Sequence, residues 1–133
     1  PSTIKIEFRE TKILAYFFKN NQKIYIGENS KIIIDARVEN NNLPLVIGKF
    51  DVNKFLRLKK LLIDNGFIWG DFTEFYSFNS NRWDLVYKNK ITIKLPIKDL
   101  NTSLNLLKKI INNQNTKNFK VIDLRLKDRV ILS

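Results

Sequence analysis

The chain has 133 residues, enough for one compact domain, and its 44% hydrophobic and 28% charged residues place it among core-forming chains rather than disordered ones. Cysteine and histidine are both absent, which excludes disulfides, thiolate nucleophiles, Cys/His zinc sites and any His-based catalytic triad. A net charge of +11 invites a nucleic-acid or anionic-membrane partner, but the excess is mostly Lys, over-used together with Asn and Ile as AT-rich coding favours, so a solvated basic surface is the simpler reading.

Residues 3–9 alternate Ile4, Ile6 and Phe8 with Lys5, Glu7 and Arg9, which predicts a half-buried strand. Residues 13–18 read as a second, more buried strand; Asn20 and Asn21 turn the chain, and 23–27 return with Ile24 and Ile26 in step. The stretch "GENSK" turns into a short strand at 32–34, 38–42 is a polar loop, and "LPLVIG" at 43–48 is short and apolar. No run is long and apolar enough to cross a bilayer, and no signal peptide stands out. The chain opens on Pro1 rather than Met, as a piece of a longer protein would.

The period then changes. Asp51 is a good N-cap, and Val52, Phe55, Leu56, Leu62 and Ile63 recur at helical spacing, which predicts a helix over 52–64. Asn65-Gly66 supplies a left-handed stop, with Phe67 placed for a Schellman contact. Residues 72–78, 82–88 and 91–95 read as a strand meander turned at "NSN" and "KNK". Asp99 or Asn101 caps a second helix through about 112, with Leu100, Leu104, Leu107 and Ile111 on one stripe. A loop "NNQNTKN" leads to a last strand over 119–132, bent at Lys127-Asp128. The expected architecture is α+β, a mixed or antiparallel sheet with two helices on one face.

Chemistry is sparse. There is no phosphate-binding glycine loop, since Gly27, Gly48, Gly66 and Gly70 are scattered at turns. The nearest carboxylate pairs are Asp71 with Glu74 and Asp123 with Asp128; Asp123 sits two residues from Arg125 on one strand face, so an ion pair is the simpler account. A nucleic-acid-binding domain, the alternative function, would use Lys54, Arg57, Lys59, Lys60, Lys108 and Lys109. The aromatics that should interleave with them (Phe8, Tyr16, Phe17, Phe55, Phe67, Phe75, Tyr87) fall at core or half-core positions. In "NRWDLVY", Trp83 belongs to the core face. Arg82 either pairs with Asp84 or Asp123, or serves as a binding hot spot beside an exposed sheet edge, and the sequence leaves both open.

The closing stretch "VIDLRLKDRVILS" alternates like a strand and reads as the border of a sheet. An uncovered border invites strand addition by another chain, while Lys127, Asp128 and Arg129 discourage self-pairing.

Four stretches in order, "PSTIKIEFRETKILAYF", "LPLVIG", "RWDLVYKNKITIKLP" and "VIDLRLKDRVIL", resemble the extracytoplasmic region of the bacterial cell-division family FtsQ/DivIB, in its alphaproteobacterial branch. The first carries Glu10 and Leu14-Ala15, with Ile13 where the family usually has Pro. The third has an Arg-Trp-x-Leu strand, with Lys90 where Gly is common. The fourth has Asp123-Leu124-Arg125 followed by Asp128-Arg129-Val130, charged where some members are small. The resemblance implies residues 1–10 as the trailing strand of a POTRA domain and 11–133 as the β domain. It also implies a non-enzymatic scaffold without cofactor, small-molecule substrate or nucleic-acid partner. Such a protein is held in the inner membrane by one helix missing from this sequence, with this part on the periplasmic side at the septum. Its partners would be FtsB- and FtsL-like membrane proteins, FtsB adding a strand beside the last strand of the β domain. Carried over, the partner-binding residues are Arg82 on the neighbouring strand and Arg125, Leu126, Lys127, Asp128, Arg129, Val130 and Leu132.

Overall fold

The computed structural model describes residues 12–34, 42–113 and 118–133. The expected strand at 3–9, and with it the POTRA assignment of 1–10, lies outside them, as does most of the loops at 38–42 and 112–118.

Among the described residues nine strands form one sheet. They are β1 (Ile13–Lys19), β2 (Gln22–Gly27), β3 (Ile32–Ile33), β4 (Leu45–Ile47), β5 (Phe72–Ser77), β6 (Trp83–Tyr87), β7 (Ile91–Lys94), β8 (Val121–Asp123) and β9 (Ile131–Leu132). Their order across the sheet is β3-β2-β1-β4-β5-β6-β7-β8-β9. Helix α1 (Val52–Asp64) carries the chain between β4 and β5, and α2 (Leu100–Asn113) between β7 and β8. Both of those strand pairs are parallel, as is β1 with β4; the remaining pairs are antiparallel. The helices are needed because parallel neighbours cannot be joined by a tight turn. The fold is therefore α+β with a mixed sheet, as the sequence led us to expect.

Local chemistry sets the helix ends and hairpins. The Asp51 carboxylate accepts hydrogen bonds from the amides of Asn53 (2.7 Å) and Lys54 (3.2 Å), satisfying two donors of the first turn. At the other end Gly66 takes φ +85°, the Phe67 amide donates to Leu62 and the Gly66 amide to Ile63, each at 3.0 Å, and Phe67 buries its ring. The β1–β2 turn places Asn20 and Asn21 at positive φ, and the β6–β7 turn does the same with Lys88 and Asn89. Gly48 is irreplaceable for a different reason. Its φ is +95°, and a Cβ there would lie 2.3 Å from the Ser77 carbonyl oxygen.

Alternation along the strands puts Ile26, Val46, Phe75, Leu85, Ile93 and Ile122 into one core with Phe55, Leu58 and Leu62 of α1 and Leu104 and Leu107 of α2. Phe55 is its centre, with ring centroids 5.2 Å from Phe75, 5.6 Å from Trp69 and 5.9 Å from Trp83. Trp83 is buried, as its strand position required. Trp69 adds a cross-link by donating its indole N–H to the Leu14 carbonyl at 2.9 Å.

Candidate partner-binding edge

The last fourteen residues do not form the single bent strand that their alternation suggests. They split into β8 and β9, and the intervening residues 124–130 reverse the chain so that β9 folds back antiparallel on β8. The register pairs Ile122 with Leu132 and Asp123 with Ile131. Val121 and Ser133 exchange backbone hydrogen bonds at 3.0 Å in both directions, and the Lys120 amide also donates to Ser133 at 2.8 Å. The reason for the split lies in β7. Its outer side takes only three residues of β8 before the chain leaves the sheet at Leu124, whose amide still donates to the Lys94 carbonyl.

β9 ends the sheet order, so its outward side faces no described strand. Val130 and Leu132 lean inward against the core, while Ile131 and Leu126 are 44% and 48% exposed. Lys127, Asp128 and Arg129 are exposed and join no ion pair among the described residues. The expected partner-binding residues 125–130 and Leu132 thus occupy the reversal and the edge strand together.

Asp123 and Arg125 lock the start of the reversal. Arg125 donates from Nε to Oδ1 (2.9 Å), from Nη2 to Oδ2 (2.8 Å) and from its backbone amide to Oδ1 (3.0 Å). These bonds hold the Asp123 carboxyl below its ordinary value despite its burial, and nearby Lys94 acts in the same direction. The Arg125 guanidinium is held above its own ordinary value, first by the same bond.

Arg82 does not stand on the strand neighbouring the edge. It precedes β6, and β7 and β8 both separate it from β9. Its guanidinium hydrogen-bonds the Asp84 carboxylate, stacks 4.5 Å from the centre of the Phe78 ring, and is only 16% exposed. The link to the edge is indirect. Asp84 is in register with Lys94, and Lys94 with Asp123, so a row of alternating charge crosses the open sheet face from Arg82 to Arg125. The pattern escapes a sequence reading because its members come from three strands.

The other candidates disperse. Glu74 accepts the Tyr76 hydroxyl at 2.8 Å, which pushes that phenol up, and Asp71 closes a 3-10 turn through its backbone. No three His, Cys, Asp or Glu side chains among the described residues cluster to hold a metal ion. Several helix lysines are engaged within the chain. Lys60 bridges Asp64 at 3.0 Å, Lys59 lies over Trp69, Lys54 donates to Asn81, and Lys108 donates to the Gly66 carbonyl above Phe67. Of the aromatics named for nucleic acid, Phe55, Phe67, Phe75 and Tyr87 are buried. A second apolar surface escapes a sequence reading: Phe18, Ile32 and Ile34, each more than half exposed, line a hollow of about 710 Å³ at the far end of the sheet.

No curated protein sequence matches the chain. The major extracytoplasmic domain of the trans isomer of the cell division protein DivIB from Geobacillus stearothermophilus is similar in structure, with a TM-score of 0.51 at 13% identity, covering 77% of this chain and 92% of that one. The family model for the C-terminal region of the cell division protein FtsQ/DivIB matches residues 15–125. That match takes in the core strands, both helices and the Asp123–Arg125 clamp, and the chain belongs to the FtsQ/DivIB family of cell division proteins.

Proposed function

We propose that this chain is the extracytoplasmic β domain of a non-enzymatic division scaffold, and that it binds FtsB- and FtsL-like partners by strand addition at β9. The observation that carries the reading is the position of β9 as the last strand of the sheet, its outward side facing no described strand. The surroundings suit a partner strand. Val130 and Leu132 offer inward apolar neighbours, Ile131 and Leu126 offer exposed ones, and Lys127 and Arg129 offer cations not yet paired. Backbone hydrogen bonds would supply affinity, and alternate side chains selectivity. The binding residues are Arg125 through Val130 and Leu132, with Arg82 coupled to them only through the charge row. Residues 1–10 would close a POTRA domain, and a membrane helix outside this sequence would hold the protein in the inner membrane at the septum.

The test is a titration of this chain with the extracytoplasmic segment of the FtsB-like protein of the same organism. A dissociation constant on the order of micromolar is expected, which membrane tethering would convert into stable association. Ile131→Arg should weaken it at least about tenfold. Unchanged affinity in that variant would place the partner elsewhere. Salt-steep binding to single-stranded DNA would instead favour the nucleic-acid reading.

A further inference from the structure

The hollow at the end of the sheet away from β9 has the make-up of a ligand site. Cross-strand partners share a sheet face. Ile26 is fully buried, yet Ile32, its partner in register on β3, is half exposed, so the cover given by the helices stops short of β3. The space left there is lined by Phe17, Ile24 and Phe50, all buried or half-buried, beside the exposed Phe18, Ile32 and Ile34. Its inner wall is held in place. The Phe50 ring meets those of Phe17, Phe55 and Trp83 edge-on, with centroids 5.1, 6.1 and 6.4 Å away. The Ser77 hydroxyl pins the neighbouring backbone by donating to the Lys49 carbonyl at 2.9 Å. A volume of about 710 Å³ falls within the range of small-molecule sites, which are mostly apolar with a few polar groups.

The charge of the lining is one-sided. Lys19 and Lys49 line the hollow, no Asp or Glu does among the described residues, and neither ammonium joins an ion pair there. Asp51, which follows Phe50, turns its carboxylate to the amides of Asn53 and Lys54 instead. Two cations without a counter-charge beside an apolar lining match a molecule with a hydrocarbon tail and an anionic head. We propose that the hollow binds single anionic amphiphiles, the hydrocarbon chain lying over Phe17, Ile24 and Ile34 and a carboxylate or phosphate head held by Lys19 and Lys49. A concavity encloses one chain, whereas a bilayer is met by a protruding apolar face. The site is independent of β9, which borders the opposite end of the sheet.

Titration of the full chain with dodecanoate and with dodecyl phosphate, below their micelle-forming concentrations and followed by amide and methyl NMR shifts, tests this. Saturable shifts gathered at Phe18, Ile32 and Ile34 are expected. Dodecyltrimethylammonium, with the same tail and a cationic head, should bind at least about tenfold more weakly. Lys49→Glu should erase the preference for an anionic head. Ile34→Asp should lower dodecanoate affinity at least about tenfold and leave the melting temperature within a few degrees, because Ile34 is exposed. Phe18→Ser reads the same loss from a second position should Ile34→Asp unfold the chain. Equal binding of the two head groups, or affinity unchanged in the apolar variants, overturns the proposal. Binding to phosphatidylglycerol vesicles without binding of the single amphiphiles also overturns it and makes the surface a bilayer contact. Absence of any shift overturns it and leaves the hollow to a protein segment. Each of these outcomes leaves the partner reading at β9 untouched.

Discussion

Arg125 reaches back over two residues to grip the Asp123 carboxylate with its side chain and its own amide, three hydrogen bonds of 2.8 to 3.0 Å. The grip has a consequence for acid stability. A carboxyl depressed in the folded state contributes stability above its unfolded value, near 3.9, and loses it as pH falls through the lower folded value. Acid titration of the fold should therefore show a stability loss below about pH 4 that Asp123→Asn flattens. The check is chemical denaturation repeated from pH 7 down to pH 2; an acid limb identical in the variant would remove the clamp from this account.

Arg82 serves the fold through Asp84 and Phe78. Arg82→Ala strips the guanidinium from a mostly buried Asp84 and from the Phe78 ring, and should cost about 1–3 kcal/mol of stability in urea unfolding. Weakened partner binding with stability intact would return Arg82 to the contact surface.

Val130→Pro addresses the edge directly. Val130 precedes the two residues of β9 that pair with β8, so proline there breaks no bond of that register. The melting temperature should shift by no more than a few degrees, while affinity for the FtsB-like segment falls beyond about a hundredfold. Equal affinity for the two proteins would rule the edge out.

Phe55→Ala should be the most damaging single change in the core. The ring is fully buried among Phe50, Trp69, Phe75 and Trp83, and its loss should cost about 3–5 kcal/mol, measured by equilibrium unfolding. A loss below about 1 kcal/mol would mean that the surrounding rings collapse into the space.

What could be read from the residues alone was whatever neighbours in sequence decide. Asp51 and Asn65-Gly66 mark the ends of α1 because capping involves groups within a few residues of each other. The Arg125–Asp123 pair is two residues apart in sequence and was legible for the same reason. The turn at Lys127-Asp128 falls where the sequence placed a bend, but that it is a full reversal was not legible, because 124–130 contain no Gly, Pro or Asn and the pairing of β8 on β7 involves another segment. Arg82 was misplaced for a related reason. The sequence brings β6 and the last strand together by resemblance, whereas the sheet inserts β7 and β8 between them.

β7 and β8 lie side by side in parallel, joined through α2, and β9 folds back on β8. The edge strand of the sheet therefore rests on β8, and through it on β7 and on the helix that connects the two. Damage to β7 or α2 would be felt at β9 although neither touches it in sequence, so the far rim of the sheet reports on the interior behind it.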